Sequence, residues 1–232
     1  MEKVKCIKNK RIYCVDDYHG IAVFVSNRSS VVYFMNENVF ETYKVSPMSC
    51  VVLNDAIYIS NSENQLFSID IKSKNMTKLP KGKIRSMRDN GMIVENHYIV
   101  CHDLNNVEIY DLETNRWTYI KNITKKGKTF IQYAINYDNT SCCVIVSDLA
   151  ANCEMVYSLN YETLNISRIG SCNVERMIYD KIRQQYIAVT SGNESISILD
   201  QKLNKVKEYP LKKQIAWISR DVQIKVSQFA GL

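Results

Sequence analysis

The sequence predicts an all-β fold built from repeated four-stranded antiparallel units, and three observations carry the prediction. Short apolar stretches of period two recur along the chain, separated by Asn, Asp and Ser; strands joined by tight turns read this way. No window sustains the 3.6-residue apolar spacing of a helix. The composition agrees. Of 232 residues, 46% are hydrophobic, 23% are charged and 15 are tyrosine, with 7 glycines and 3 prolines. Such a chain is neither collagen-like nor disordered, and tyrosine suits strands.

The units are found through a short segment that recurs: Val31 to Asn36, Leu66 to Asp70, Val107 to Asp111, Val156 to Asn160 and Ile196 to Asp200. Its closing Asn or Asp falls at 36, 70, 111, 160 and 200, so the spacings are 34, 41, 49 and 40. A period near 40 residues is that of a four-stranded propeller blade. Residues 49 to 79 show a whole unit. Ser49 to Leu53 is apolar, Asn54-Asp55 turns, Ala56 to Ser60 is a second strand and Asn61 to Asn64 a polar turn. Gln65 to Ile71 is the third strand, Lys72 to Asn75 turns, and Met76 to Leu79 is the fourth. The next unit repeats this from Gly91 to Ile120.

One such sheet buries little. Set side by side around an axis, each sheet packs both faces on its neighbours and only short edges stay open. The inner strands should then be apolar on both faces, as Ile21 to Val25, Cys50 to Leu53 and Cys142 to Val146 are. The prediction is a single β-propeller over residues 1–232, with blades at 9–45, 46–80, 88–121, 129–170 and 174–210. A partial sixth blade at 214–229 is closed by an N-terminal strand at 3–8. Two alternatives stand beside it: another all-β meander such as a sandwich, and a truncated ring whose missing strands another protein supplies.

Residues 107 to 117, Val-Glu-Ile-Tyr-Asp-Leu-Glu-Thr-Asn-Arg-Trp, resemble the third and fourth strands of a kelch repeat, which carries a Tyr and a Trp separated by six residues, as Tyr110 and Trp117 are. The equivalent pairs are Ile69 and Met76, Leu159 and Ile166, and Leu199 and Val206. They keep the spacing and lose the aromatics. The kelch double glycine is absent from every unit, as are the Gly-His and Trp-Asp signatures of WD40 repeats. The chain therefore resembles a degenerate propeller near the kelch and WD40 groups, over roughly residues 5 to 210. The resemblance implies a scaffold that binds other proteins.

No stretch approaches the roughly 20 apolar residues of a membrane span, and the basic start Met1 to Lys8 lacks the apolar run of a secretory signal. The expectation is a cytoplasmic protein, with the nucleus as the other intracellular option. The eight cysteines contain no Cys-x-x-Cys pair, so they read as small buried apolar residues in a reducing compartment. His97, Cys101 and His102 lie close in sequence, but residues 101 and 102 of a strand point to opposite faces. No phosphate loop of the Gly-x-x-x-x-Gly-Lys type exists. Nor does a Gly-x-Ser-x-Gly elbow or the Ser-x-Asp box of propeller sialidases. The expectation is no enzyme, no cofactor, no metal and no catalytic residue.

The formal net charge is +6, and its placement says more than its size. The inter-blade connectors carry Lys81, Lys83, Arg85, Arg88, Lys121, Lys125, Lys126, Lys128, Lys212 and Lys213 against Asp89 alone. The turns joining first and second strands hold six carboxylates, at Asp16, Asp17, Asp55, Glu95, Asp138 and Asp180, against Lys181 and Arg183. A field of one sign over a face speeds encounter with oppositely charged partners. The candidate partner site is therefore Lys81, Lys83, Arg85, Arg88, Lys125, Lys126, Lys128, Lys212 and Lys213. Lysine exceeds arginine there, which suits diffuse attraction rather than bidentate readout. The expected partner is a protein with an acidic surface. The alternative is an RNA backbone, for which the one candidate loop aromatic to stack a base is Phe130 near Lys128, a residue that equally fits the start of a strand.

Overall fold

The computed structural model describes residues 11–16, 18–26, 29–61, 63, 65–84, 92–124, 127–190, 192 and 195–211, without the side chains of 11–15, 26 and 92–95. Among them are twenty strands and no helix. The first sheet is β1 (Arg11–Asp16), β2 (Ile21–Ser26), β3 (Ser29–Phe34) and β4 (Val39–Tyr43). The second is β5 (Ser49–Leu53), β6 (Ala56–Ser60), β7 (Leu66–Asp70) and β8 (Met76–Lys78). The third is β9 (Met92–Glu95), β10 (Tyr98–His102), β11 (Val107–Asp111) and β12 (Arg116–Ile120). The fourth is β13 (Thr129–Asn136), β14 (Ser141–Asp148), β15 (Cys153–Asn160) and β16 (Ile166–Cys172). The fifth is β17 (Val174–Asp180), β18 (Gln185–Thr190), β19 (Ser195–Leu199) and β20 (Lys205–Pro210). Every sheet is a meander in sequence order, so each connector leaves a sheet at the end that holds its second-to-third loop.

The chain forms two compact units, one of residues 1–103 and 108–119, the other of 104–107 and 120–232. Within the first unit, consecutive sheets stack face to face. Val23, Val32 and Phe34 of the first sheet pack on Cys50, Ile57, Ile59 and Ile69 of the second. Val51, Tyr58 and Leu66 on the other face of the second sheet pack with Ile84, Ile99, Cys101 and Tyr110. Ile57 and Ile59 go one way and Tyr58 the other, as strand alternation requires. In the second unit Ile145, Val156, Met177, Tyr186 and Leu199 join the fourth and fifth sheets. Each fully buried Ile or Leu contributes roughly 1.5–3 kcal/mol relative to exposure.

Five four-stranded antiparallel sheets match the sequence reading. Of the three segments singled out as apolar on both faces, Cys50 to Leu53 lies in the first strand β5, and Ile21 to Val25 and Cys142 to Val146 lie in the second strands β2 and β14, which have a hydrogen-bonded neighbour on both edges. The expected closing strand at 3–8 and the partial blade at 214–229 lie outside the described residues.

At four of its five positions the recurring Asn or Asp is explained by the turn it builds. Asp70 Oδ1 accepts the backbone N–H of Ser73 at 2.6 Å. Asp111 Oδ1 accepts that of Glu113 at 2.9 Å, Asn160 Oδ1 that of Thr163 at 2.8 Å, and Asp200 Oδ1 those of Lys202 and Asn204 at 2.9 and 2.8 Å. Three or four residues on, the chain turns left-handed at Lys74, Asn115, Leu164 and Leu203. A short acceptor side chain that mimics a backbone carbonyl closes each turn.

These turns make the fold acid-sensitive. Hydrogen bonds from Ser73 hold the Asp70 carboxyl below its ordinary range, and the Asn204 amide and N–H do so for Asp200. Burial pushes Asp111 and Asp180 up, but the Thr114 hydroxyl and nearby N–H groups outweigh it at Asp111, as does the Arg183 guanidinium at Asp180. A folded-state pKa below the unfolded one gives stability that is present at neutral pH. That stability drains as pH falls from about 4 through the depressed values. Urea midpoints should therefore fall steeply below about pH 4. Replacing Asp70, Asp111 and Asp200 together by Asn, which keeps the acceptor as Asn160 does, should flatten that limb; an unchanged profile would refute the assignment.

Candidate partner-binding surface

The connector that leaves the second sheet is fixed by side chains from two sheets. Leu79 N–H donates to Leu66 O at 2.9 Å, and Gln65 Nε2 donates to Leu79 O at 2.6 Å. Trp117 Nε1–H donates to Pro80 O at 2.8 Å. The Glu108 carboxylate, wholly buried in β11, accepts the N–H groups of Lys83 and Ile84 at 2.5 and 2.9 Å. Ile84 drops into the core at 2% exposure. The backbone from 79 to 84 is thus pinned at four successive places, and the Lys81 and Lys83 side chains stand exposed on it. Lys83 Nζ lies 5.9 Å from the centre of the Tyr119 ring.

The connector that enters the fourth sheet is held as closely. Asn122 N–H donates to Asn106 Oδ1 at 3.2 Å, Ile123 N–H to Asn105 O at 2.9 Å and Thr124 Oγ1 to Asn105 Oδ1 at 2.7 Å. Past it, Lys128 O accepts the N–H of Leu149 at 3.2 Å, and the Lys128 side chain is exposed. Of the nine expected contact residues, Lys81 and Lys83 lie in the first unit and Lys128 in the second. Arg85, Arg88, Lys125, Lys126, Lys212 and Lys213 lie outside the described residues. Phe130 belongs to β13 rather than to a loop.

Sequence reasoning missed Gln65, Asn105 and Glu108, the residues that hold these connectors. Glu108 left a signal: a carboxylate flanked by Val107 and Ile109 in a strand expected to be buried has to find donors.

The other candidates do local work. His97 sits in the turn after β9, within 3.9 Å of Asp111 and 3.8 Å of Glu113. His102 is buried, with Nδ1 3.0 Å from Asp103 O. Among the described residues no group of three or more His, Cys, Asp or Glu is placed to hold a metal ion. Cys142 and Cys143 are both buried, and burial pushes the Cys143 thiol up to about 12, which keeps it protonated and unreactive at neutral pH. No helix among the described residues is long and apolar enough to cross a membrane.

The two aromatics that carried the kelch resemblance meet. The Tyr110 and Trp117 rings lie 4.9 Å apart, Tyr110 OH donates to Asn115 Oδ1 at 3.0 Å, and Trp117 reaches Pro80. The Kelch motif matches residues 96–123, which span this pair. No curated protein matches the sequence.

Solved structures match through fold. The computationally designed Ika8 protein is 8% identical at a TM-score of 0.60, over 85% of this chain and 60% of that one. BamB from Moraxella catarrhalis is 12% identical at 0.56, over 84% and 59%. KlHsv2 with loop 6CD replaced by a Gly-Ser linker is 13% identical at 0.60, over 89% and 68%. The chain thus spans about three fifths of the length of the first two. Repeated four-stranded sheets, a Kelch motif match in the third of them and the fold shared with these structures make the chain similar to kelch-like β-propeller repeat proteins.

Proposed function

We propose that the protein is a non-catalytic scaffold that binds an acidic protein partner through its basic inter-blade connectors, within a larger assembly. The observation that carries this reading is the pinned segment 79–84. Its backbone is ordered by Gln65, Glu108 and Trp117, while its two lysines are left to solvent. Ordering a charged segment in advance lowers the entropy lost on binding, and lysines on a rim raise the association rate. Kelch repeats and propellers generally bind protein partners, which agrees. The same proposal takes Arg85, Arg88, Lys125, Lys126, Lys212 and Lys213 as further basic connector residues, and residues 214–229 with 3–8 as a sixth blade.

Affinity purification from native cells, with and without nuclease, tests the class of partner. A stable protein partner that survives nuclease supports the scaffold; association that nuclease abolishes would assign the surface to RNA instead. Reversing charge at Lys81, Lys83 and Lys128 together should weaken the recovered partner by roughly tenfold or more at low salt, chiefly through slower association, and flatten the salt dependence. The unfolding midpoint should not move, because all three side chains are exposed. Equal affinity and equal salt dependence for variant and parent would defeat the reading.

A further inference from the structure

Two serine hydroxyls of the first unit are buried side by side. Ser49 opens β5 and Ser60 closes β6, and the register sets them directly opposite each other. Strand alternation fixes where they point. Cys50, Ile57 and Ile59 pack towards the first sheet, whereas Val51, Tyr58 and Leu66 pack with Ile84, Ile99, Cys101 and Tyr110. Ser49 shares the face of Val51 and Ser60 that of Tyr58, with no break in register between them. Both hydroxyls therefore enter the seam between the second and third sheets, at the end where segment 79–84 leaves the second.

Ser49 is 1% exposed and Ser60 0%, and neither Oγ has a hydrogen-bond partner, not even the other serine. The polar side chains at the same end are already committed. Gln65 Nε2 donates to Leu66 O and Leu79 O at 3.0 and 2.6 Å, and the Glu108 oxygens take the Lys83 and Ile84 N–H groups. A hydroxyl withdrawn from solvent and left unpaired is costly, and native folds satisfy nearly all of theirs. Ser30 and Ser197 are buried in the same condition, but Ser30 stands opposite Val25 and Tyr43 and Ser197 opposite Ala188 and Glu208. Ser49 and Ser60 instead face each other across one rung.

We infer that Ser49 and Ser60 bind one buried water molecule between them. Opposite residues of an antiparallel pair hold their Cβ atoms about 4.5–5.5 Å apart. Two hydroxyls that do not touch across that span are bridged by a single water oxygen at about 2.8 Å from each. A buried water requires at least two polar partners, and this pair supplies them. A hard metal ion does not fit, because it takes six or so oxygens with carboxylates among them, and the Glu108 carboxylate of this seam is spent on backbone N–H groups. A larger ligand does not fit either, since Ile84 and Leu66 are wholly buried beside the pair. The water ties β5 to β6 at the rung next to which Ile84 enters the core.

The test is a high-resolution crystal structure of the whole chain together with a urea-unfolding cycle over Ser49→Ala, Ser60→Ala and the double variant. The expected map shows a peak within hydrogen-bond reach of both Oγ atoms that vanishes in the double variant. Each single substitution should raise the unfolding equilibrium constant about fivefold or more. The double variant should lose less than the product of the two, because the first substitution already releases the water. Hydroxyls with no partner at all give the opposite sign: alanine removes an unpaired polar group, and the variants match or exceed the parent. That sign, two effects that simply multiply, a map without the peak, or hydroxyls bonded directly to a strand carbonyl each overturn the inference. Cross-relaxation between water and the Ser49 and Ser60 amides of the parent, read by NMR, decides the case if a substituted chain fails to fold. Contact with a long-lived water supports the site, and its absence overturns it.

Discussion

Replacing Glu108 by alanine should destabilise the protein by about 3–5 kcal/mol, the largest effect expected of any polar side chain described. The carboxylate is fully buried and accepts two backbone donors, from Lys83 and Ile84. Alanine removes both acceptors at once and leaves the buried Ile84 amide, and the part-buried Lys83 amide, without their partner. Each charge-assisted bond of this kind contributes roughly 1.5–3 kcal/mol. Glu108→Gln keeps one carbonyl oxygen and replaces the other with a donor that faces a donor, so it should cost about half as much. Urea unfolding would show a lowered midpoint at unchanged slope. The variant also separates two roles of the connector. If Lys81 and Lys83 bind a partner because they are held in place, Glu108→Gln should weaken binding in a fold that survives, without altering any surface charge. A Glu108→Ala loss under 1 kcal/mol would mean that the linker bonds elsewhere and that the pinning argument fails.

What was legible in the sequence is what local chemistry enforces. The Asn and Asp at 70, 111, 160 and 200 stand out because each must cap the turn that follows it, and that requirement does not depend on the rest of the fold. Tyr110 and Trp117 were legible for a related reason: a six-residue separation across a tight turn sets the two rings side by side on neighbouring strands. Glu108 was not, since its role depends on Lys83 and Ile84, 25 and 24 residues away, and nothing local announces that pairing. The length of β15 was half visible. The 49-residue spacing between Asp111 and Asn160 was the widest of the four, but Cys153, Glu154 and Met155 have no alternating pattern to separate strand from loop.

The second large effect belongs to the other unit. Tyr186→Ala should destabilise it by about 3–5 kcal/mol, while Tyr186→Phe should cost less than about 1 kcal/mol. Tyr186 is among the largest wholly buried side chains. Its ring packs 4.9 Å from Tyr179 and 6.2 Å from Tyr137, inside the core shared by the fourth and fifth sheets. Alanine opens a cavity that surrounding strands, fixed by their own ladders, close only in part. Phenylalanine keeps the ring and loses only the contact of the hydroxyl with Cys143 Sγ at 3.5 Å, a weak bond. Burial pushes the Tyr186 phenol far above its ordinary value, so it stays neutral wherever the protein is folded. Alkaline titration followed by tyrosinate absorbance should therefore show the same folded-state amplitude in Tyr186→Phe as in the parent, and the missing chromophore should emerge only on unfolding. If instead the two substitutions cost alike, the hydroxyl rather than the ring holds these sheets together.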